Sequence, residues 1–140
     1  MSFHIEHHLD GRHHRSGVYA SRGDAVLAAL RVKAAPVLIV EGDDSVPPGG
    51  GDVVVVVLKA GEIINFGEQP SWWTGLPNAS QEKLLEGGRL HADVVTAIAH
   101  AGGSVAATAW EGGPTDEWEL TPAEDHNWVR AEAARRRVRG

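Results

Sequence analysis

The chain has 140 residues, 42% of them hydrophobic, with a formal charge of −6 and no cysteine. Length and apolar content suit one folded domain and not a disordered chain, and the missing thiols exclude disulfides, thiolate catalysis and Cys-ligated zinc. The acidic balance weighs against direct nucleic-acid binding, which needs cations for the phosphates, and favours a partner with a basic surface.

Phe3, Ile5, His7 and Leu9 alternate with His4, Glu6 and His8, a period of two that predicts a strand. Asp10-Gly11 supplies a two-residue turn tolerant of positive φ, so residues 12–19 return as the second arm of a hairpin. In that register Leu9 faces Arg12, His8 faces His13 and His7 faces His14. Ser21 with Asp24 approximates a capping box. Val26, Leu27, Leu30 and Ala34 then form the apolar stripe of a first helix, which Pro36 stops. Residues 37–40 read as a buried strand, and residues 42–52, with Pro47-Pro48 and Gly49-Gly50-Gly51, as a connector.

Residues 53–59 and 62–66 form a second hairpin around Ala60-Gly61. The five valines at 53–57 require a central strand covered on both faces, because an exposed edge of that kind aggregates. This run is far short of the roughly 18 apolar residues that cross a bilayer. The start, Met1-Ser2-Phe3-His4, lacks the basic-then-apolar layout of a signal peptide, so a cytoplasmic location without membrane contact is the expectation. A loop carries Trp72 and Trp73. Asn78 or Ser80 caps a short helix closed by Gly87-Gly88. A longer helix runs from Leu90 to Ala101, ended by Gly102-Gly103, and a strand follows at residues 104–111. In Thr121-Pro122-Ala123-Glu124, Thr is expected at the N-cap with Pro at the first helical position. The terminal helix, residues 122–138, shows only Trp128, Ala131, Ala134 and Val138 as an apolar face, so loose packing is expected. Its Arg130, Arg135, Arg136, Arg137 and Arg139 suit a solvated helix end. The whole reads as a single α+β domain over residues 1–140, a mostly antiparallel sheet with helices packed on it.

No catalytic residue emerges. Gly49-Gly50-Gly51 lacks the Lys-Ser/Thr of a phosphate-binding loop, and Ser104 with His100 lacks the turn that exposes a nucleophile. No cofactor or metal is favoured. The alternative is a metal-binding protein or metalloenzyme using His8, His13 and Glu6: a cross-strand His pair has Cβ atoms about 4.5–5.5 Å apart, and a carboxylate on the same side completes a facial donor set. Trp110 and Trp128 are expected in the core. Adjacent residues of an extended chain point opposite ways, so one of Trp72 and Trp73 is expected outside. Trp118, within Asp116-Glu117-Trp118-Glu119, suits docking on a basic surface, the ring as anchor and the charges steering.

The layout resembles that of bacterial polymorphic-toxin immunity proteins of the Imm type, often encoded beside deaminase toxins. The likeness rests on the hairpin around Asp10-Gly11, the helix after it, strand 37–40, segment 53–66 with Trp72-Trp73, and the helix ending at Gly102-Gly103 before a strand bearing Trp110-Glu111. It covers roughly residues 1–112 and excludes the basic terminal helix. The resemblance implies a non-enzymatic inhibitor that occludes a cognate toxin. Asp43, Asp44, Asp116, Glu117 and Glu119 would then mimic phosphates, with Trp72, Trp73 or Trp118 as anchors. A third reading is a structural or phage-assembly subunit, self-associating through the terminal helix.

Overall fold

In the computed structural model, which describes residues 2–32, 35–42, 45–47, 50–87, 90–107 and 118–139, the first alternating segment is strand β1 (Phe3–Leu9), paired antiparallel with β2 (Arg12–Tyr19). Asp10 (φ 53°) and Gly11 (φ 75°) both take the left-handed conformation that a two-residue turn requires. The expected register holds, with Leu9 opposite Arg12, His8 opposite His13 and His7 opposite His14. Further along, the register slips between Phe3 and Ile5. There Gly17 has φ +74°, and a Cβ on it would meet the Tyr19 ring at 2.4 Å. Only glycine fits that irregular stretch.

The chain forms two compact units, Met1–Phe66 with Ala131–Gly140, and Gly67–Arg130. The first unit is built on a five-stranded sheet of order β2-β1-β3-β4-β5, completed by β3 (Val37–Glu41), β4 (Val53–Val57) and β5 (Ile63–Asn65). All its pairings are antiparallel, and the α+β expectation is met. As expected, the valine strand is central: β4 lies between β3 and β5, with Val55 and Val56 wholly buried.

Helix α1 (Arg22–Leu30) covers one face of this sheet, capped at Ser21, whose Oγ accepts from the Asp24 N–H at 3.1 Å. Ser21→Ala is expected to lower stability by about 1 kcal/mol, seen as a lower denaturant midpoint with an unchanged slope. The buried stripe differs from the expected one. Ala25 and Ala29 pack on Phe3, Ile5, Val37, Ile39, Val55 and Val57, while Leu27 and Leu30 face outward. Small side chains let the helix approach the sheet closely, and the larger leucines point away.

The opposite face is covered by the C-terminal part of α4 (Ala123–Arg139), whose Ala131, Ala134 and Val138 pack on Leu38, Val40, Val56 and Ile64. The loose packing expected of this helix is therefore corrected: those three residues are at most 4% exposed. Its small residues again permit close contact. The face expected to serve self-association through Ala131, Ala134 and Val138 is occupied by the protein's own sheet.

The second unit contains α2 (Asn78–Glu86), α3 (Ala92–Ala101), the two-stranded sheet of β6 (Ser104–Ala107) and β7 (Trp118–Thr121), and the first part of α4. Pro77 holds the N-cap place of α2, with Asn78 already helical, and α3 starts after His91. Strand β7 was not foreseen. Thr121 closes it and does not cap α4; the Pro122 carbonyl instead accepts the first helical bonds, from the N–H groups of Asp125 and His126. Among the described residues no helix is long and apolar enough to cross a membrane.

Candidate functional site

Strand β1 is interior because it pairs with β3 as well as β2. That pairing places the histidine-rich strand in the interior of the sheet. With helices over both faces, His4 and Glu6 are fully buried and His7 is 9% exposed.

The alternation sorts these side chains. On the α1 face, His7 and His14 stack with ring centroids 5.3 Å apart. Burial pushes the His7 pKa below the ordinary imidazole value, and the neighbouring His14, His13 and His8 rings push it the same way. On the α4 face lie His4, Glu6, His8 and His13. The Glu6 carboxylate has its Oε2 held by Arg139, whose Nε donates at 3.0 Å and whose Nη2 stands at 2.9 Å. Arg139 also donates to the carbonyls of Gly51 (3.1 Å) and Gly50 (3.0 Å). It is 12% exposed at its side chain, so the solvated tail expected here ends in a partly buried, paired guanidinium.

The other carboxylate oxygen of Glu6, Oε1, faces two imidazoles: His13 Nε2 at 3.6 Å and His4 Nε2 at 3.8 Å. Both distances exceed hydrogen-bond length. His4 Nδ1 lies 3.0 Å from the Gly42 carbonyl oxygen. A carbonyl only accepts, so Nδ1 carries a proton and Nε2 is the ring nitrogen turned toward the carboxylate. Among the described residues, His4 Nε2, His13 Nε2 and His7 Nδ1 are buried without a hydrogen-bond partner. Leaving such a group unsatisfied costs about 1–3 kcal/mol.

Of the expected donors, Glu6 and His13 do come together, and His8 does not join them. His8 is exposed, its ring edge-on to His13 with centroids 6.1 Å apart. The second imidazole facing the carboxylate, beside that of His13, is His4. Its shared face with Glu6 was legible from the alternation, but its burial was not.

The expected docking residues fare unevenly. Trp72 and Trp73 are each 4% exposed, so the expected division into one inner and one outer ring does not occur. The chain here is not extended: Trp72 has helical dihedrals and Trp73–Gly75 is a 3-10 turn, so alternation does not apply. Within the second unit, Trp73 packs edge-on against Trp128 with centroids 5.0 Å apart and against Trp72 at 6.0 Å. Trp72 Nε1 donates to Asp125 Oδ2 at 2.9 Å. Both rings are thereby removed as surface anchors, while Trp128 is in the core as expected. Trp118 is 38% exposed and Glu119 is exposed beside it on β7. Asp43, Asp44, Trp110, Asp116 and Glu117 lie outside the described residues.

A second surface went unnoticed in the sequence. Leu27 (59% exposed), Leu30 (44%) and Ile63 (45%) line an open groove of about 610 Å³, with Val26 and Val55 also in its wall and Arg22 and Asp24 along it. The available signal was the pair of alanines at 25 and 29, which compete with the leucines for the inward position.

No protein family, curated protein or solved structure matches this chain.

Proposed function

We propose that this protein is a non-enzymatic binding module for another protein, and that the partner is a toxin which it neutralises. The observation that carries the binding reading is the apolar row Leu27, Leu30 and Ile63. Contiguous exposed apolar surface beside polar residues is characteristic of interaction sites, and large side chains emptied from a core are suitable anchors. The immunity assignment rests on the likeness in layout and on the exposed Trp118-Glu119 pair, which suits a basic partner surface.

The test uses purified toxin domain from the adjacent gene and isothermal titration. Leu27→Asp combined with Ile63→Asp is expected to weaken binding by about thirtyfold or more, the effect of losing one strong anchor, with the thermal midpoint little changed because both positions are exposed. Trp118→Ala and added salt are expected to weaken it further if charge steers the encounter. Full-strength binding by the double variant would remove the groove as the docking surface. Failure of the toxin to bind at all would remove the immunity assignment.

A further inference from the structure

We infer that the outer edge of β5 is a strand-addition site: an extended segment of the partner, apolar with basic flanks, pairs along Ile63–Asn65 as a sixth strand of the sheet. The inference rests on the docking reading above and specifies how the partner is held. β5 closes one end of the strand order and pairs with β4 alone among the described residues. In that antiparallel ladder the Leu58 N–H donates to the Glu62 carbonyl (2.7 Å) and the Phe66 N–H to the Val54 carbonyl (2.9 Å). Hydrogen-bonding sides alternate along a strand. Residues 62, 64 and 66 therefore turn their backbone groups to β4, and Ile63 and Asn65 turn theirs outward. Among the described residues nothing bonds those outward N–H and C=O groups, and both residues are exposed. They repeat every second residue, about 6.8 Å apart, a spacing that extended backbone matches and that makes an open edge a template for another strand.

The surroundings select the occupant. Ile63 and Asn65 also line the groove whose other wall carries Leu27 and Leu30 of α1. Side chains of an added strand alternate in step with those of β5, so every second one lies on the α1 side beside the leucines and is apolar. Charge sets the flanks. No Lys or Arg occurs between Lys59 and Lys83, whereas Glu62 and Glu68 border β5 and are exposed. Basic residues at the ends of the partner segment face these carboxylates across the edge. The same carboxylates disfavour a second copy of this chain, because self-pairing sets one acidic flank against another. The sheet's other edge, β2, is protected by contrast: it carries Arg12 and Arg15 and is irregular near Gly17, where φ is +74°. Charges and irregularities of that kind block strand addition, and Ile63–Asn65 has neither.

The test uses the toxin domain of the adjacent gene and, independently, a displayed library of random linear peptides. Amide hydrogen exchange is read along β5 in the complex. The Ile63 and Asn65 N–H groups are expected to exchange about tenfold or more slowly on binding, while Ile64 and Phe66, already bonded to β4, change little. Asn65→Pro deletes one outward donor without touching the β4 ladder, a place where an edge strand tolerates proline. It is expected to weaken toxin binding by about tenfold or more with the far-UV circular dichroism unchanged, and Asn65→Thr, which keeps the N–H, leaves binding unchanged. A toxin that binds and is weakened by Leu27→Asp with Ile63→Asp, yet leaves the two amides exchanging freely, would overturn strand addition while the docking reading stands. If the toxin does not bind, the immunity assignment falls and the library decides. Enriched peptides of alternating apolar residues with Lys or Arg flanks, protecting the same two amides, support the edge; no enrichment over the Asn65→Pro protein overturns it. A concentration-dependent dimer in sedimentation, lost in Asn65→Pro, would give the edge to a second copy and overturn its assignment to a partner. The exchange measurement needs no variant, so a fold lost on substitution does not shield the proposal.

Discussion

Arg139→Ala is expected to destabilise the protein by about 3–5 kcal/mol, the range for removing one member of a buried ion pair. Glu6 is fully buried and its Oε2 is bound by the Arg139 guanidinium at 2.9–3.0 Å. Truncation removes the guanidinium that holds this buried carboxylate, together with its bonds to the carbonyls of Gly50 and Gly51. The measurement is urea unfolding followed by far-UV circular dichroism. Arg137, two residues earlier and exposed, provides the control: Arg137→Ala is expected to stay within about 0.5 kcal/mol. Glu6→Gln with Arg139→Met is expected to recover most of the loss, because an ion pair replaced on both sides no longer leaves a lone buried charge. A loss below about 1 kcal/mol in Arg139→Ala would show that Glu6 does not depend on this arginine.

The second large effect is expected at Trp73. Its ring is 4% exposed and meets Trp72 and Trp128 edge-on, and its carbonyl accepts from the Gln81 side chain at 2.8 Å. Trp73→Ala removes a large buried ring and two aromatic contacts, at a cost of about 3–5 kcal/mol. Trp73→Phe keeps one ring and is expected to lose less than half of that. Trp118→Ala, on the exposed side of β7, is expected to cost under about 1 kcal/mol. The comparison is made by denaturant unfolding read through indole fluorescence. Equal effects at Trp73 and Trp118 would contradict the buried cluster.

Local chemistry made much of the first unit legible. Asp10-Gly11 set the hairpin register, because its two positive φ angles leave little choice of turn. The five valines announced a central strand, and the strand at Val37–Glu41 and the cap at Ser21 stand where the spacing put them. What failed depended on contacts distant in sequence. Pairing of β1 with β3 turned a polar hairpin into the middle of a sheet and buried His4 and Glu6. The partner of Arg139 lies 133 residues away, so no window around the basic helix end reveals it. In α1 the failure was one of emphasis: hydrophobicity favoured Leu27 and Leu30 inward, but close helix–sheet approach favoured Ala25 and Ala29. At the candidate site Glu6 and His13 were legible from cross-strand register. His4 required knowing what covers the strand.

The way α4 is divided has a consequence for the order of events on the ribosome. All five strands of the first unit's sheet lie before Phe66, yet Ala131, Ala134 and Val138, which seal one face, and Arg139, which neutralises Glu6, are made only after the whole of Gly67–Arg130. The second unit is continuous in sequence and is free to close first. During translation the nascent sheet must carry Leu38, Val40, Val56 and Ile64 uncovered, before Arg139 is there to hold Glu6. That interval is when apolar strands are most open to wrong pairing, and it ends only when residue 139 clears the exit tunnel.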